Sequence, residues 1–220
     1  MDRAIVSKTK AITLVGGGDA DSAMLEEAQK FAPTLVACDG GAGFVLKNKG
    51  NPEAVIGDMD SIDARTKAAI APDRLHFVAE QDTTDFEKAL LRIEAPLILG
   101  VGFLGGRLDH ELAVLHALVK YDSPKVILLG REDIAFVAPE RIALDLPIGS
   151  RLSLFPLGPV SGVSEGLEWP IKGLSFDPLS KIGTSNRVTG PVELSFSNRA
   201  MLLILPRAGL SAVIDALGAG

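Results

Sequence analysis

Residues 54–62 read Ala54-Val55-Ile56-Gly57-Asp58-Met59-Asp60-Ser61-Ile62. A short apolar run ends on a glycine, and two carboxylates follow it, two residues apart. Such a pair at the end of a buried strand is costly unless a cation or hydrogen-bond donors offset it. On an extended strand end, residues i and i+2 point to the same side, so Asp58 and Asp60 are expected to face one cation together. Hard carboxylate oxygens suit Mg²⁺, which keeps waters and binds substrate phosphates as well. The plainer alternative lets one aspartate cap a helix beginning near Ile62 and leaves the other solvated.

Outward from this stretch the same arrangement recurs. Asp39 follows Thr34–Cys38, Gln81-Asp82-Thr83-Thr84-Asp85 follows Leu75–Ala79, and Gly105-Gly106-Arg107-Leu108-Asp109-His110 follows Leu97–Val101. With Ala11–Val15 and Lys125–Leu129 these make six runs that are apolar throughout, the mark of strands covered on both faces. Helix-like segments separate them. Thr84-Asp85-Phe86-Glu87 reads as a capping box opening a helix over Phe86–Ile93. Leu108, Leu112, Leu115 and Val119 fall on one helical face. Strand–helix alternation of this kind predicts an α/β fold with a doubly wound, mostly parallel sheet. In such a sheet the carboxyl ends of the strands share one edge, where ligands bind. The acids and Arg107 are expected there.

The pattern changes near Phe136. Glycines and prolines become frequent, and short strand candidates appear at Arg151–Phe155, Gly162–Glu165, Val192–Ser197 and Met201–Leu205. This predicts a small all-β domain, sandwich or barrel, over 139–220, after an α/β domain over 1–138. A short final helix is expected over Ala208–Leu217. Residues 1–10 carry little signal.

The 220 residues carry a net charge of −6 and no basic run, which argues against nucleic acid as a partner. A negative surface favours a nucleotide that arrives with a divalent cation. The single cysteine, Cys38, cannot form an intramolecular disulfide and reads as a small apolar filler. No apolar run approaches the length of a membrane span, and the N-terminus lacks a signal-peptide core, so a cytoplasmic protein is expected.

Gly16-Gly17-Gly18-Asp19 either lets backbone approach a phosphate or makes a tight strand-to-helix turn, and it is not a Walker A loop. Asp85, at the start of a helix, is favoured by the helix dipole even without a ligand. Arg107 offers a planar fork of donors suited to phosphate oxygens; the alternative is a surface pair with Asp109. His110 and His116 read as ordinary helix residues. No Ser–His–Asp set or zinc spacing is present.

Taken together, GGGD (16–19), CDGGA (38–42), GDMDSI (57–62), QDTTDFEKAL (81–90), GGRLDHELA (105–113) and GTSN (183–186) resemble the thiamine pyrophosphokinase family. Each motif alone is weak; six in order over nearly the whole chain are specific. The resemblance implies an α/β catalytic domain, a β domain that helps hold thiamine, and a homodimer with sites at the subunit interface. It implies Asp39, Asp58, Asp60 and Asp85 as the Mg²⁺ and phosphate site, with Gln81, Asp82 and Thr84 supporting substrate or metal. Arg107 and Asp109 match nucleotide and substrate contacts, and Asp85 or Asp109 is the base for the thiamine hydroxyl. Gly166-Leu167-Glu168-Trp169, Ser185 and Asn186 match thiamine-binding elements. Some relatives have serine where this chain has Gly183, and Met59 stands where the family often has phenylalanine.

The expected reaction transfers pyrophosphate from ATP to the hydroxyl of thiamine, giving thiamine diphosphate and AMP. A Mg²⁺-dependent phosphatase with an aspartyl nucleophile, or a non-catalytic nucleotide- or thiamine-sensing module, would use some of the same residues. An NAD-binding oxidoreductase fits less well, because GxGxxG spacing and a ribose-binding acid are not jointly present.

Overall fold

The computed structural model describes residues 4–80, 82–183 and 185–218. Gln81, one of the expected site residues, therefore lies outside the described residues. The chain is an α/β protein that divides into two compact units, Met1–Ala117 with Tyr121–Arg131, and Leu118–Lys120 with Glu132–Gly220.

In chain order the first unit carries β1 (Val6–Ser7), β2 (Ile12–Val15), α1 (Ser22–Phe31), β3 (Thr34–Cys38), α2 (Gly41–Lys47), β4 (Ala54–Gly57) and α3 (Ala64–Ala69). It continues with β5 (Leu75–Phe77), α4 (Asp85–Leu90), β6 (Ile93–Glu94), β7 (Leu97–Val101), the start of α5 (Leu108–Lys120) and β8 (Lys125–Leu129). Six strands pair in parallel in the order β8-β7-β2-β3-β4-β5. Val15 lies beside Ala37 on one side and Val101 on the other. The strands β2, β4 and β7 are buried along their whole length, which is why their sequences are apolar rather than alternating. The chain runs from β2 outward to β5 and then returns to β7 on the other side of β2. The carboxyl ends of β2 and β7 therefore flank a topological switch point.

Two local expectations change. The capping box at Thr84 is present, but α4 ends at Leu90, and Ile93 enters β6, which pairs in parallel with β1. That pairing also gives structure to the segment near the N-terminus. On α5 the expected apolar face is not the buried one: Leu108 is 67% and Leu112 57% exposed, whereas Val114, Ala117 and Leu118 are buried.

The second unit is antiparallel. It holds β9 (Asp133–Val137), β10 (Arg141–Leu144), β11 (Arg151–Pro156), β12 (Val160–Leu167), β13 (Ser175–Phe176), β14 (Ser185–Phe196), β15 (Met201–Pro206) and α6 (Leu210–Ala216). The strand order is β13-β12-β14-β11-β15-β9, with β10 also on β14. Burial alternates along β10 and through much of β14, as expected of strands with one face packed and one solvated. Because β9 pairs with β15, the stretch from Glu132 on belongs to this unit, whereas the boundary expected from sequence lies at 138/139.

Candidate active site

Asp39 follows β3 with a φ of 29°, and its backbone N–H donates to the Ile56 carbonyl of the neighbouring strand at 3.1 Å. The turn is tight because α2 starts at once: a Cβ on Gly41 would stand 2.1 Å from the Val15 carbonyl oxygen. Asp39 is 1% exposed. Its Oδ2 accepts from the Ser61 backbone N–H at 3.2 Å. Its Oδ1 is, among the described residues, the one buried side-chain polar atom without a hydrogen-bond partner.

Asp58 and Asp60 follow β4 in a turn, not on an extended strand end. Met59 between them has a φ of 61° and packs against the apolar cluster that includes Val15, Ala37, Val45 and Val55. The two carboxylates therefore converge by a left-handed turn anchored by an apolar side chain, and not by the strand pleat. Asp39, Asp58 and Asp60 each bring one ligand oxygen within 4.8 Å of the others. Burial, with the nearby carboxylates of Asp85, Asp58 and Asp60, pushes the Asp39 carboxyl up to about 6, although the Ser61 N–H acts the other way. A buried carboxylate with one unpartnered oxygen, grouped with two further carboxylates, is chemistry that a hard divalent cation satisfies.

Asp85, expected as a fourth ligand, stands outside this triplet. It opens α4 behind the Thr84 N-cap, and its Oδ1 accepts from Lys88 Nζ at 3.0 Å. The same ammonium donates to Asp58 Oδ2 at 2.9 Å, and the Lys88 side chain is only 3% exposed. Burial works against the charged lysine, but the bonds to Asp58 and Asp85 outweigh it and raise its pKa. Lys88 in turn holds Asp58 below the usual carboxylate range. Asp58 thus has a protein partner that sequence reasoning missed. A lysine in the first turns of a helix looks like a solvated residue, and only its position three residues after Asp85 hinted otherwise.

Gly57 lies where Asp39 and Asp85 meet. A Cβ there would come within 2.9 Å of the Asp39 Cβ and 3.3 Å of Asp85 Oδ1. Gly57→Ala is expected to spread these carboxylates and lower catalytic activity by about tenfold or more, since misplacement of about 1 Å costs on the order of a hundredfold. Steady-state assay of a folded Gly57→Ala protein checks it; unchanged activity would mean the spacing is not critical.

The remaining expected residues are more scattered. Asp82 is exposed, and Thr84 serves the capping box with Glu87. Arg107, the N-cap position of α5, forms an exposed two-pronged pair with Asp109, with contacts of 3.1 and 2.6 Å. Each raises or lowers the other in the usual sense of an ion pair. Gly16 and Gly18 have a packing role: Gly16 N–H donates to Val101 O at 2.8 Å and Gly18 N–H to Gly102 O at 2.9 Å. A Cβ at Gly16 or Gly18 would stand 2.6 or 2.7 Å from the Gly102 carbonyl oxygen. These glycines let two loops meet at the switch point. Asp19 beside them is clamped by Arg131, at 2.5 and 2.6 Å, a contact not anticipated from sequence.

In the second unit, Asn186 is buried and grips the Trp169 backbone from both sides: its Nδ2 donates to Trp169 O at 2.7 Å, and its Oδ1 accepts from Trp169 N–H at 3.1 Å. Trp169 is 55% exposed, with the Arg187 guanidinium 5.9 Å from its ring centre. Ser185 is exposed and pairs with Ser153 of β11. A Cβ at Gly183 would stand 2.4 Å from the Leu154 carbonyl oxygen, so this backbone path requires glycine here.

Residues 25–128 match the family description "Thiamin pyrophosphokinase, catalytic domain". The chain is 30% identical over 200 residues to thiamine pyrophosphokinase 1 of Oryza sativa subsp. japonica, a match covering 72% of this chain and 76% of that protein. It is 30% identical over 170 residues to thiamine pyrophosphokinase 1 of Arabidopsis thaliana, where the match covers 66% of this chain and spans 61% of the plant protein's length. The crystal structure of thiamin pyrophosphokinase from Geobacillus thermodenitrificans superposes with a TM-score of 0.74 at 24% identity, covering 89% of this chain and 96% of that one.

Proposed function

Because the chain belongs to the thiamine pyrophosphokinase family, we propose that it transfers the diphosphate group of ATP to the hydroxyl of thiamine, releasing AMP. The observation that carries this reading beyond family membership is the buried, unpartnered oxygen of Asp39 beside Asp58 and Asp60. These three residues would hold Mg²⁺. When bound, the ion supplies charge neutralisation for the triphosphate and helps expose its β-phosphorus. Phosphoryl-type transfer depends mainly on positioning and on offsetting charge.

This chain's residues divide that work. Arg107 presents its guanidinium fork to phosphate oxygens. Its pair with Asp109 is exposed and screened by solvent, so exchanging it for a phosphate costs little. Asp85 or Asp109 accepts the proton of the attacking hydroxyl. Gln81, Asp82 and Thr84 support substrate. In this reading the first unit is the doubly wound catalytic domain and the second a β domain that holds thiamine. There the Trp169 ring packs against a flat ring of the substrate, Asn186 fixes the Trp169 backbone, and Ser185 lies beside it. The active form is a homodimer with sites at the subunit interface, consistent with the exposed Leu108 and Leu112 on α5. No helix among the described residues is long and apolar enough to cross a membrane.

Trp169→Ala is expected to raise the KM for thiamine by about tenfold, the order of 1–2 kcal/mol of lost aromatic contact, with little change in the KM for ATP. Equal effects on both substrates would point to general destabilisation. The reaction itself is tested by incubating the protein with ATP, Mg²⁺ and thiamine and separating the products. AMP and thiamine diphosphate in equal amounts are expected. Free phosphate with untouched thiamine would favour the phosphatase, and tight binding without turnover would favour the sensing module.

A further inference from the structure

We propose that the Asp19–Arg131 ion pair is a latch that positions the loop carrying Arg107 for nucleotide binding, without itself touching substrate. The inference rests on the reading of Arg107 as a phosphate ligand given above. Arg131 lies just past the end of β8 and Asp19 just past the end of β2, and β7 runs between those strands in the sheet. The pair therefore spans the carboxyl end of β7, from which the Arg107 loop departs. Its geometry is two-pronged: Arg131 Nε donates to Asp19 Oδ2 at 2.5 Å, and a terminal nitrogen donates to Asp19 Oδ1 at 2.6 Å. Asp21, the N-cap of α1, accepts from the same guanidinium at 3.3 Å.

The loop that leaves β7 packs against Asp19. A Cβ on Gly105 would stand 3.1 Å from the Asp19 Cβ, and one on Gly106 would stand 3.8 Å from the Asp19 backbone nitrogen. Gly105 and Gly106 have φ of 80° and 87°, and such a stretch, without side chains of its own, takes its path from what lies against it. On one side the Gly105 N–H donates to Glu111 of α5 at 2.9 Å, and on the other stands Asp19. Arg131 thus fixes Asp19, Asp19 bounds Gly105 and Gly106, and Arg107 is the next residue. The Arg131 and Asp19 side chains are 57% and 39% exposed, so the pair adds little to global stability and its effect is local. Both act as positioning residues.

The test titrates the full chain with ATP and Mg²⁺ by calorimetry, for wild type, Arg131→Met, Asp19→Asn and the double variant. Arg131→Met removes a positive charge and Asp19→Asn a negative one. A long-range electrostatic influence on ATP would therefore act in opposite directions in the two, whereas loss of a latch acts in the same direction. Each single variant and the double should raise the Kd for ATP by the same factor, about tenfold, with the melting temperature unchanged. In an Arg107→Met background, Arg131→Met should add nothing, because the residue it positions is gone. Opposite effects of the two single variants, or a further tenfold loss in the Arg107→Met background, would overturn the latch and make Arg131 a direct contact. Unchanged ATP binding in both single variants overturns it as well. Wild type that binds ATP but forms no AMP with thiamine overturns the reaction reading alone, and wild type that binds no ATP overturns both.

Discussion

Asp39→Asn should make the cation-free protein more stable at neutral pH while removing most of its activity, on the order of a hundredfold or more. The two effects have one cause. Burial and the neighbouring carboxylates lift the Asp39 carboxyl from its ordinary 3.8 to about 6. Between those values the folded state binds more protons than the unfolded state, so stability falls as pH rises from about 4 to about 6 and remains lower above. The loss is on the order of 2–3 kcal/mol. Asparagine keeps an acceptor for the Ser61 N–H and has no charge to bury, so the variant should lack that decline. A divalent cation binds only the ionised carboxylate, so Mg²⁺ should raise the melting temperature of wild type near neutral pH and leave that of Asp39→Asn nearly unchanged. Thermal unfolding at pH values on both sides of 6, with and without Mg²⁺, reads all four conditions. Identical pH and Mg²⁺ responses in both proteins would remove Asp39 from the cation site.

The second large effect separates two aspartates that look equivalent in sequence. Asp58→Asn and Asp60→Asn should each lower activity on the order of a hundredfold, because each removes a charged oxygen from the triplet. Their stabilities should differ. Asp58→Asn leaves the buried Lys88 ammonium with Asp85 as its only charged partner; breaking a buried pair outright costs about 3–5 kcal/mol, and the remaining carboxylate reduces this to roughly 1–3 kcal/mol. Asp60 is exposed, and its carboxylate accepts from the Ser61 hydroxyl at 2.8 Å, so its replacement should change stability by no more than about 0.5 kcal/mol. Denaturant unfolding of the two variants checks this. Equal destabilisation would mean that the Lys88–Asp58 pair contributes little to the fold.

The parts of this fold that were legible in sequence are those written in runs and caps. A parallel strand buried on both faces must be apolar throughout, and Ile12–Val15, Ala54–Gly57 and Leu97–Val101 are. The Thr84–Glu87 capping box marked the start of α4 because both halves of the motif lie in one stretch. What was not legible depends on tertiary neighbours. The Asp58–Asp60 convergence was expected for a reason that does not hold: the pleat argument assumes extended backbone, whereas Met59 turns left-handed to reach an apolar cluster built from β2, β3, α2 and β4. Lys88 became a site residue only through a contact thirty positions away in the chain, with Asp58. The glycines of the Gly16–Asp19 loop suggested phosphate, but Gly16 and Gly18 are required by the Gly102 carbonyl packed against them. On α5 Leu108 and Leu112 are exposed and Leu115 and Val119 only half-buried, because a second apolar stripe, Val114, Ala117 and Leu118, takes the core.

The most direct measurement follows the β-phosphorus. The protein is incubated with thiamine, Mg²⁺ and ATP labelled at the β-phosphorus, and the products are separated. Attack at that phosphorus must carry the label into thiamine diphosphate and leave unlabelled AMP, which is the result predicted here. Label retained in ADP, with either thiamine monophosphate or unchanged thiamine beside it, would contradict diphosphate transfer.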